Sequence, residues 1–193
     1  MPTTYYRPDG FSHAYVQTSD GSGTPAIVET RLFLANKASA DATIAEKKWE
    51  GDDQEITKKS ITGMTVQLDL DAVNSGGDKI IFAKTAITGT LAGGITNAYG
   101  FGGGGHVRGV SCGLRLEATA IKVVDGVEST VKWCRWYPQG TLTPMKPGEF
   151  GTAAKLGVTS YSYTPVRTTK DIIGTAIAGA SADGEFYIEG ELA

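Results

Sequence analysis

Apolar and polar residues alternate with a period of two over much of the chain, the pattern of half-buried strands. The longest such stretch runs from His106 to Pro138, HVRGVSCGLRLEATAIKVVDGVESTVKWCRWYP. Asp125-Gly126 sits between Val124 and Val127. That is the two-residue signal of a type I′ hairpin turn, since both residues tolerate positive φ. Pairing Val124 with Val127 fixes the register of both arms. Ala118 then faces Trp133, Ala120 faces Val131, Leu116 faces Arg135 and Leu114 faces Tyr137. Cys112, Leu114, Leu116, Ala118 and Ala120 share one face, and Arg115, Glu117 and Thr119 take the other. Trp133 opposite the small Ala118 predicts core packing, while Trp136, beside Arg115, is open between packing and surface. Both arms exceed the usual five or six residues. A hairpin this long must be covered by the rest of the chain or by another chain.

The same alternation predicts further strands. MTVQLDLDAV sets Val66, Leu68 and Leu70 against Gln67, Asp69 and Asp71, one face buried and one wet and acidic. AIVETRLFLAN, GVTSYSYTPV and the closing GEFYIEGELA alternate likewise, with Tyr161 and Tyr163 on one face of their strand. The pattern changes at DKIIFAKTAIT, where Asp78 as N-cap and a stripe through Ile80, Ile81, Ala83, Lys84, Ala86 and Ile87 predict the one helix. Residues 1–25 read as an arm with one short strand, HAYVQT, before the loop TSDGSGTP. Residues 89–105 read as a glycine-rich lead-in loop. Pro144 and Pro147 predict a break after the hairpin, and Thr169 to Ala178 a short helix or turn. No repeat or linker divides the chain, so residues 1–193 form a single domain with an N-terminal arm (about 1–25), an extended charged loop (about 37–60) and a C-terminal segment (about 167–193).

That loop carries nine charged residues between Glu46 and Lys59, five acidic and four basic, around a lone Trp49. Two readings apply. A solvated hairpin tip is the ordinary fate of a charge run. Mixed signs around one aromatic anchor also suit a repeated protein–protein contact, with Lys47, Lys48, Trp49, Glu50, Asp52 and Asp53 as its residues.

Charge and composition narrow the chemistry. Eighteen basic residues against 21 acidic ones give a formal charge of −3, with no basic excess for nucleic acid or an anionic membrane. No apolar run approaches the ~20 residues that span a bilayer, and no secretory signal opens the chain, so the expected place of synthesis and residence is a cytoplasm. The two cysteines fall on opposite faces of the hairpin, Cys134 opposite Glu117, which predicts free thiols. His13 and His106 lack the spacing of a zinc pair. Gly100, Gly102 and Gly105 spell G-x-G-x-x-G but lead into a strand rather than a helix, so they form no dinucleotide cradle. No nucleophile elbow or P-loop lysine is present. The expectation is no enzyme, no cofactor and no metal. Aromatic residues Trp136, Tyr137 and Trp49 leave a second class open: a monomeric β-sandwich binding module for carbohydrate or a host receptor. A third is a protein that decorates a capsid or completes a tail.

Taken in order, the charged segment KKWEGDDQEITKK leading into TGMTVQLDLDAV, the helix-like DKIIFAKTAIT, the hairpin GLRLEATAIKVVDGVESTVKWCRWYPQGTLTP and the strand GVTSYSYTPV resemble the major tail protein family, the tail-tube subunits of long-tailed bacteriophages. The likeness covers roughly residues 46–166. It implies a mainly β fold, a β-sandwich or half-barrel of mostly antiparallel strands with one packed α-helix. It also implies a structural virion protein, assembled in the host cytoplasm, whose subunits join into hexameric rings stacked as a tail tube. Partners would be ring neighbours and stacked rings, a tape-measure protein, tail-end proteins and, transiently, passing DNA; no membrane is involved. An acidic bore would repel phosphates, which makes Asp69, Asp71 and Glu117 candidate lumen-facing acids. The Glu46 to Lys59 segment becomes the candidate contact between rings.

Overall fold

The structure, a computed structural model, describes residues 4–32, 35–51, 54–70, 86–87, 98–99, 110–149 and 155–192. Ten strands account for most of them: β1 (Thr4–Ser19), β2 (Ile27–Leu32), β3 (Ala35–Gly51), β4 (Gln54–Leu70), β5 (Ala86–Ile87), β6 (Ala98–Tyr99), β7 (Val110–Val124), β8 (Val127–Glu149), β9 (Lys155–Pro165) and β10 (Ile188–Leu192). Eight form one antiparallel sheet in the order β2-β1-β7-β8-β9-β4-β3, with β10 added on β8. β5 and β6 pair separately.

The β7–β8 hairpin is the centre of this sheet, and its register is the expected one. Val124 pairs with Val127, Ala118 with Trp133 and Leu114 with Tyr137. Asp125 (φ 50°) and Gly126 (φ 84°) take the two left-handed positions that the tight turn needs. A bulge between Cys112 and Leu114 shifts the register by one beyond that point. β8 then runs on past β7 to Glu149, through Pro144 and Pro147, where a break was expected. Register shifts against β9 fall beside both prolines, and Leu142 is the last β8 residue paired to β7. The missing proline donors thus lie on a stretch with one described strand partner, where proline is tolerated.

Both ends of the sheet close on a common core, β1 coming into contact with β3. Ala14 and Val16 of β1, Leu32, Val66, Leu68 and Leu70 of β4, Cys112 and Leu114 of β7, and Tyr137, Leu142, Tyr161 and Tyr163 meet there with at most 1% exposure. Each such Leu or Val contributes about 1.5–3 kcal/mol relative to exposure. The alternation in β4 and β9 is therefore realised as read: even-numbered Val66–Leu70 and odd-numbered Tyr161 and Tyr163 point inward. The Tyr163 hydroxyl donates to the Cys112 carbonyl at 3.0 Å, so this polar atom is satisfied at depth.

Several expectations are corrected. The N-terminal arm is a sixteen-residue strand, paired to β7 from Thr4 to Gln17 with two bulges. Its early polar residues hid it, because they lie on a stretch whose outer surface is wet. The extended loop 37–60 is two paired strand arms, closed as far as Gly51 opposite Gln54. Most of the expected helix, Asp78 to Lys84, lies outside the described residues; its end, Ala86–Ile87, is strand rather than helix. No helix occurs among the described residues. Residues 169–178 adopt the turn alternative, organised by Asp171, whose Oδ1 accepts from the amides of Ile173 (3.0 Å) and Thr175 (2.8 Å).

Candidate assembly interface

The β3–β4 hairpin leaves the body of the domain because β4 has β9 as a second partner only from Val66 to Asp69. Every residue from Asp41 to Lys48 and from Lys59 to Thr62 is exposed, so this two-stranded arm is wet on both faces. Ile44 pairs with Ile61 across it, 59% and 41% exposed. Farther out the register sets Lys47 opposite Lys58 and Glu50 opposite Glu55. Like charges directly opposite destabilise a strand pair, and a lone hairpin is marginal in water. Glu46 and Lys59 make an ion pair here, 3.8 Å apart and largely exposed, which contributes little.

Of the residues expected in this contact, Lys47 and Lys48 are exposed on β3. Trp49 pairs in register with Ile56 near the tip, and Asp52 and Asp53 lie outside the described residues. Unpaired strand edges accompany the arm. Among the described residues, β3 and β2 each have one neighbour, at opposite ends of the sheet, and β1 from Thr4 to His13 pairs only with β7. Such edges are templates for further strand pairing unless blocked.

At the root of the arm lies an open groove of about 600 Å³, walled by Ile61, Met64, Pro165, Val166 and Phe186. It forms because β9 parts from β4 at Thr164 and Pro165, where the Val166 amide turns to donate to the Gln139 carbonyl instead. Arg167 spans the gap, donating to the Ile61 carbonyl at 2.9 Å with its guanidinium 4.9 Å from the Phe186 ring centre.

The candidate lumen acids are dispersed. Asp69 is half-buried and accepts from the Ser160 hydroxyl at 3.0 Å. Asp71 lies outside the described residues. Glu117 is buried, its carboxylate 2.7 Å from Arg115 and 3.7 Å from His13. Arg115 also grips Glu29 at 2.7 Å, and Glu29 accepts from Gln17, which accepts from the Trp136 indole at 2.6 Å. Glu117 is thus compensated within its own chain and presents no bare charge.

Trp133 is half-buried and stands apart from the core cluster, contrary to the large-against-small expectation. It lies tilted on Tyr6, ring centres 4.6 Å apart, and donates to Glu189 at 2.6 Å. Glu189 also takes two bonds from Arg135, and Glu191 accepts from Lys122 (2.7 Å) and Tyr6 (3.0 Å). Lys122 and Tyr6 hold the Glu191 carboxyl below its usual range, and Glu191 raises Lys122 in return. Sequence reasoning missed this cluster; its one trace was the run of acids after Asp183 with no base among them.

Of the aromatic residues named for a sugar platform, Tyr137 is fully buried, Trp136 is half-buried with its indole donating to Gln17, and the side chain of Trp49 lies outside the description. Both cysteines are free and lie on opposite faces, Cys134 opposite Glu117. Burial pushes the Cys112 thiol up to about 12 and raises Cys134 as well, the latter against the pull of Arg115. Among the described residues no three His, Cys, Asp or Glu side chains gather as a metal site. Compared with known proteins, the chain matches no family profile and no curated sequence.

Proposed function

We propose that this chain is a structural subunit that assembles with copies of itself, joining edge to edge into rings that stack as a phage tail tube. The observation that carries the reading is the β3–β4 arm: exposed on both faces from Asp41 to Lys48 and from Lys59 to Thr62, apolar at Ile44 and Ile61, and with Lys47 set opposite Lys58 and Glu50 opposite Glu55 in its outer half. An arm of that kind gains stability from a second surface, and unpaired edges at both ends of one sheet offer a way to repeat the contact. In this reading the arm reaches the neighbouring ring, hexameric as in the family the sequence resembles. Asp69 and Asp71 stay candidates for the bore, a tape-measure protein and tail-end proteins bound the tube, and DNA passes without binding. The virion is then the protein's place, and no chemistry is asked of it.

Negative-stain microscopy of the purified protein tests this: rings or tubes of uniform bore are expected. Ile44→Asp with Ile61→Lys, an opposite-charge pair across the same register, should abolish them while leaving thermal unfolding of the domain within about 0.5 kcal/mol, as for exposed positions generally. A wild-type protein that stays monomeric at every concentration, or a double variant that still forms tubes, refutes the proposal.

A further inference from the structure

β10 is held in an unusual way for a terminal strand. It pairs with β8 over five residues, Ile188 with Trp136 through Leu192 with Lys132, and lies off the main path of the sheet. No residue of β10 is buried. Its grip comes instead from two carboxylates at alternate positions, Glu189 and Glu191, met by donors from three strands: Tyr6 of β1, Lys122 of β7, and Trp133 and Arg135 of β8. Four side chains converging on a Glu-x-Glu pair make a receptor with a defined register, because a slip of one residue turns both acids to the other face.

The segment before β10 is docked independently of it. Thr168 and Glu185 bridge, Phe186 packs on the core, and Arg167 covers the Phe186 ring. Between Phe186 and β10 stands Tyr187, 37% exposed, its ring 5.7 Å from that of Tyr137 and 4.9 Å from the Arg135 guanidinium. Releasing β10 therefore disturbs none of those contacts, and the freed residues reach about 20 Å when extended.

We propose that the edge of β8 from Lys132 to Trp136 is a strand-acceptor site for a Glu-x-Glu segment, filled by the chain's own β10 in the isolated subunit and by the β10 of a second copy in the assembled state. This rests on the self-assembly reading and specifies one of its joints. The exchange remakes every bond it breaks, since donor and acceptor are identical in both states, and so follows the low-cost route of domain swapping. In dilute solution the tethered strand wins, at an effective concentration in the millimolar range for a short flexible link. A neighbour competes when copies are packed at comparable density, as in a ring.

The register supplies the test, because Gly190 lies directly opposite the native Cys134. A side chain at Gly190 meets nothing within 4 Å, so Gly190→Cys fits, and cross-strand partners stand at a separation a disulfide can bridge. Oxidised in dilute monomer, this variant should run as a single covalent monomer on a non-reducing gel. Oxidised after assembly, it should give a ladder of covalent dimers and higher species that collapses on reduction. Adding Glu189→Gln and Glu191→Gln should lower the yield of both products several-fold while near-native circular dichroism is kept. Assemblies that yield covalent monomer alone overturn the exchange and leave self-assembly standing. Absence of assemblies overturns both, and absence of any crosslink in the monomer overturns the acceptor site itself.

Discussion

Gly140 offers the sharpest test of how the core is packed. It lies on β8 opposite Pro165, at the point where β8 passes from β7 to β9. A Cβ built there would stand 2.5 Å from Tyr163 Cζ, 2.6 Å from its hydroxyl and 2.6 Å from the Thr164 carbonyl oxygen. Two of these atoms belong to a fully buried ring and the third to the backbone of a paired strand, so none yields without moving something else. Over-packing a core costs about 1–3 kcal/mol, and Gly140→Ala belongs at the upper end. Shifting the ring also breaks the 3.0 Å bond from Tyr163 to the Cys112 carbonyl, which adds about 1 kcal/mol. The expected loss is about 3–4 kcal/mol, a fall in the urea midpoint of about 1.5–2 M at a slope of about 2 kcal/mol per M. Gly190→Ala is the matched control, with open space at the Cβ position; it should be neutral or stabilising by about 0.5 kcal/mol, as when a strand glycine gains a side chain. Equilibrium unfolding followed by circular dichroism reads both. A Gly140→Ala protein within 0.5 kcal/mol of wild type would refute the packing described around Tyr163.

Two further predictions concern buried polar groups. Arg115→Met leaves the buried Glu117 and the exposed Glu29 without their shared cation; removing one partner of a buried pair such as Arg115–Glu117 costs about 3–5 kcal/mol, and an unfolding midpoint unchanged from wild type would sink the network. Burial raises the Cys112 thiol from its ordinary value near 9 to about 12. Its contribution is fully present below pH 9 and is lost as pH rises toward 12, because the unfolded chain ionises first, at about 1.4 kcal/mol per pH unit. Cys112→Ala should flatten that alkaline slope, and in the native wild type at pH 8 a thiol reagent should modify Cys112 only as fast as the protein opens.

The legible parts of this protein were those where the immediate neighbours in sequence decide the outcome. Asp125-Gly126 specified its turn through two positive φ angles, and the turn carried the register for ten residues down each arm. The opposition of Cys134 to Glu117 followed without further information. Where strands continue through poor local signals, the sequence misled. Thr4–Pro8 read as irregular and the charged segment around Trp49 as an extended loop, with a solvated hairpin tip as one of its two readings, yet backbone pairing along β7 and between β3 and β4 makes both into long strands. Pro144 and Pro147 read as a break, but a missing donor is tolerated on a stretch that has β9 as its one partner among the described residues. Trp133 read as core from its partner alone, whereas Tyr6 of β1 and Glu189 of β10, distant in sequence, are what its indole meets.

By itself, then, the sequence determined the period-two alternation, the tight turn, the inward set Val66, Leu68, Leu70, Tyr161 and Tyr163, and the two free thiols on opposite faces. These are consequences of backbone geometry and side-chain chemistry within a few residues. Tertiary structure decided which strands share an edge, where the β3–β4 arm leaves the sheet, that Arg115 reaches Glu29 on another strand, and that Glu189 and Glu191 fasten β10. Each of these joins residues tens to more than a hundred positions apart, as Tyr6 joins Glu191. Their encounter depends on the closing of one sheet around one core, which no local window of the chain records.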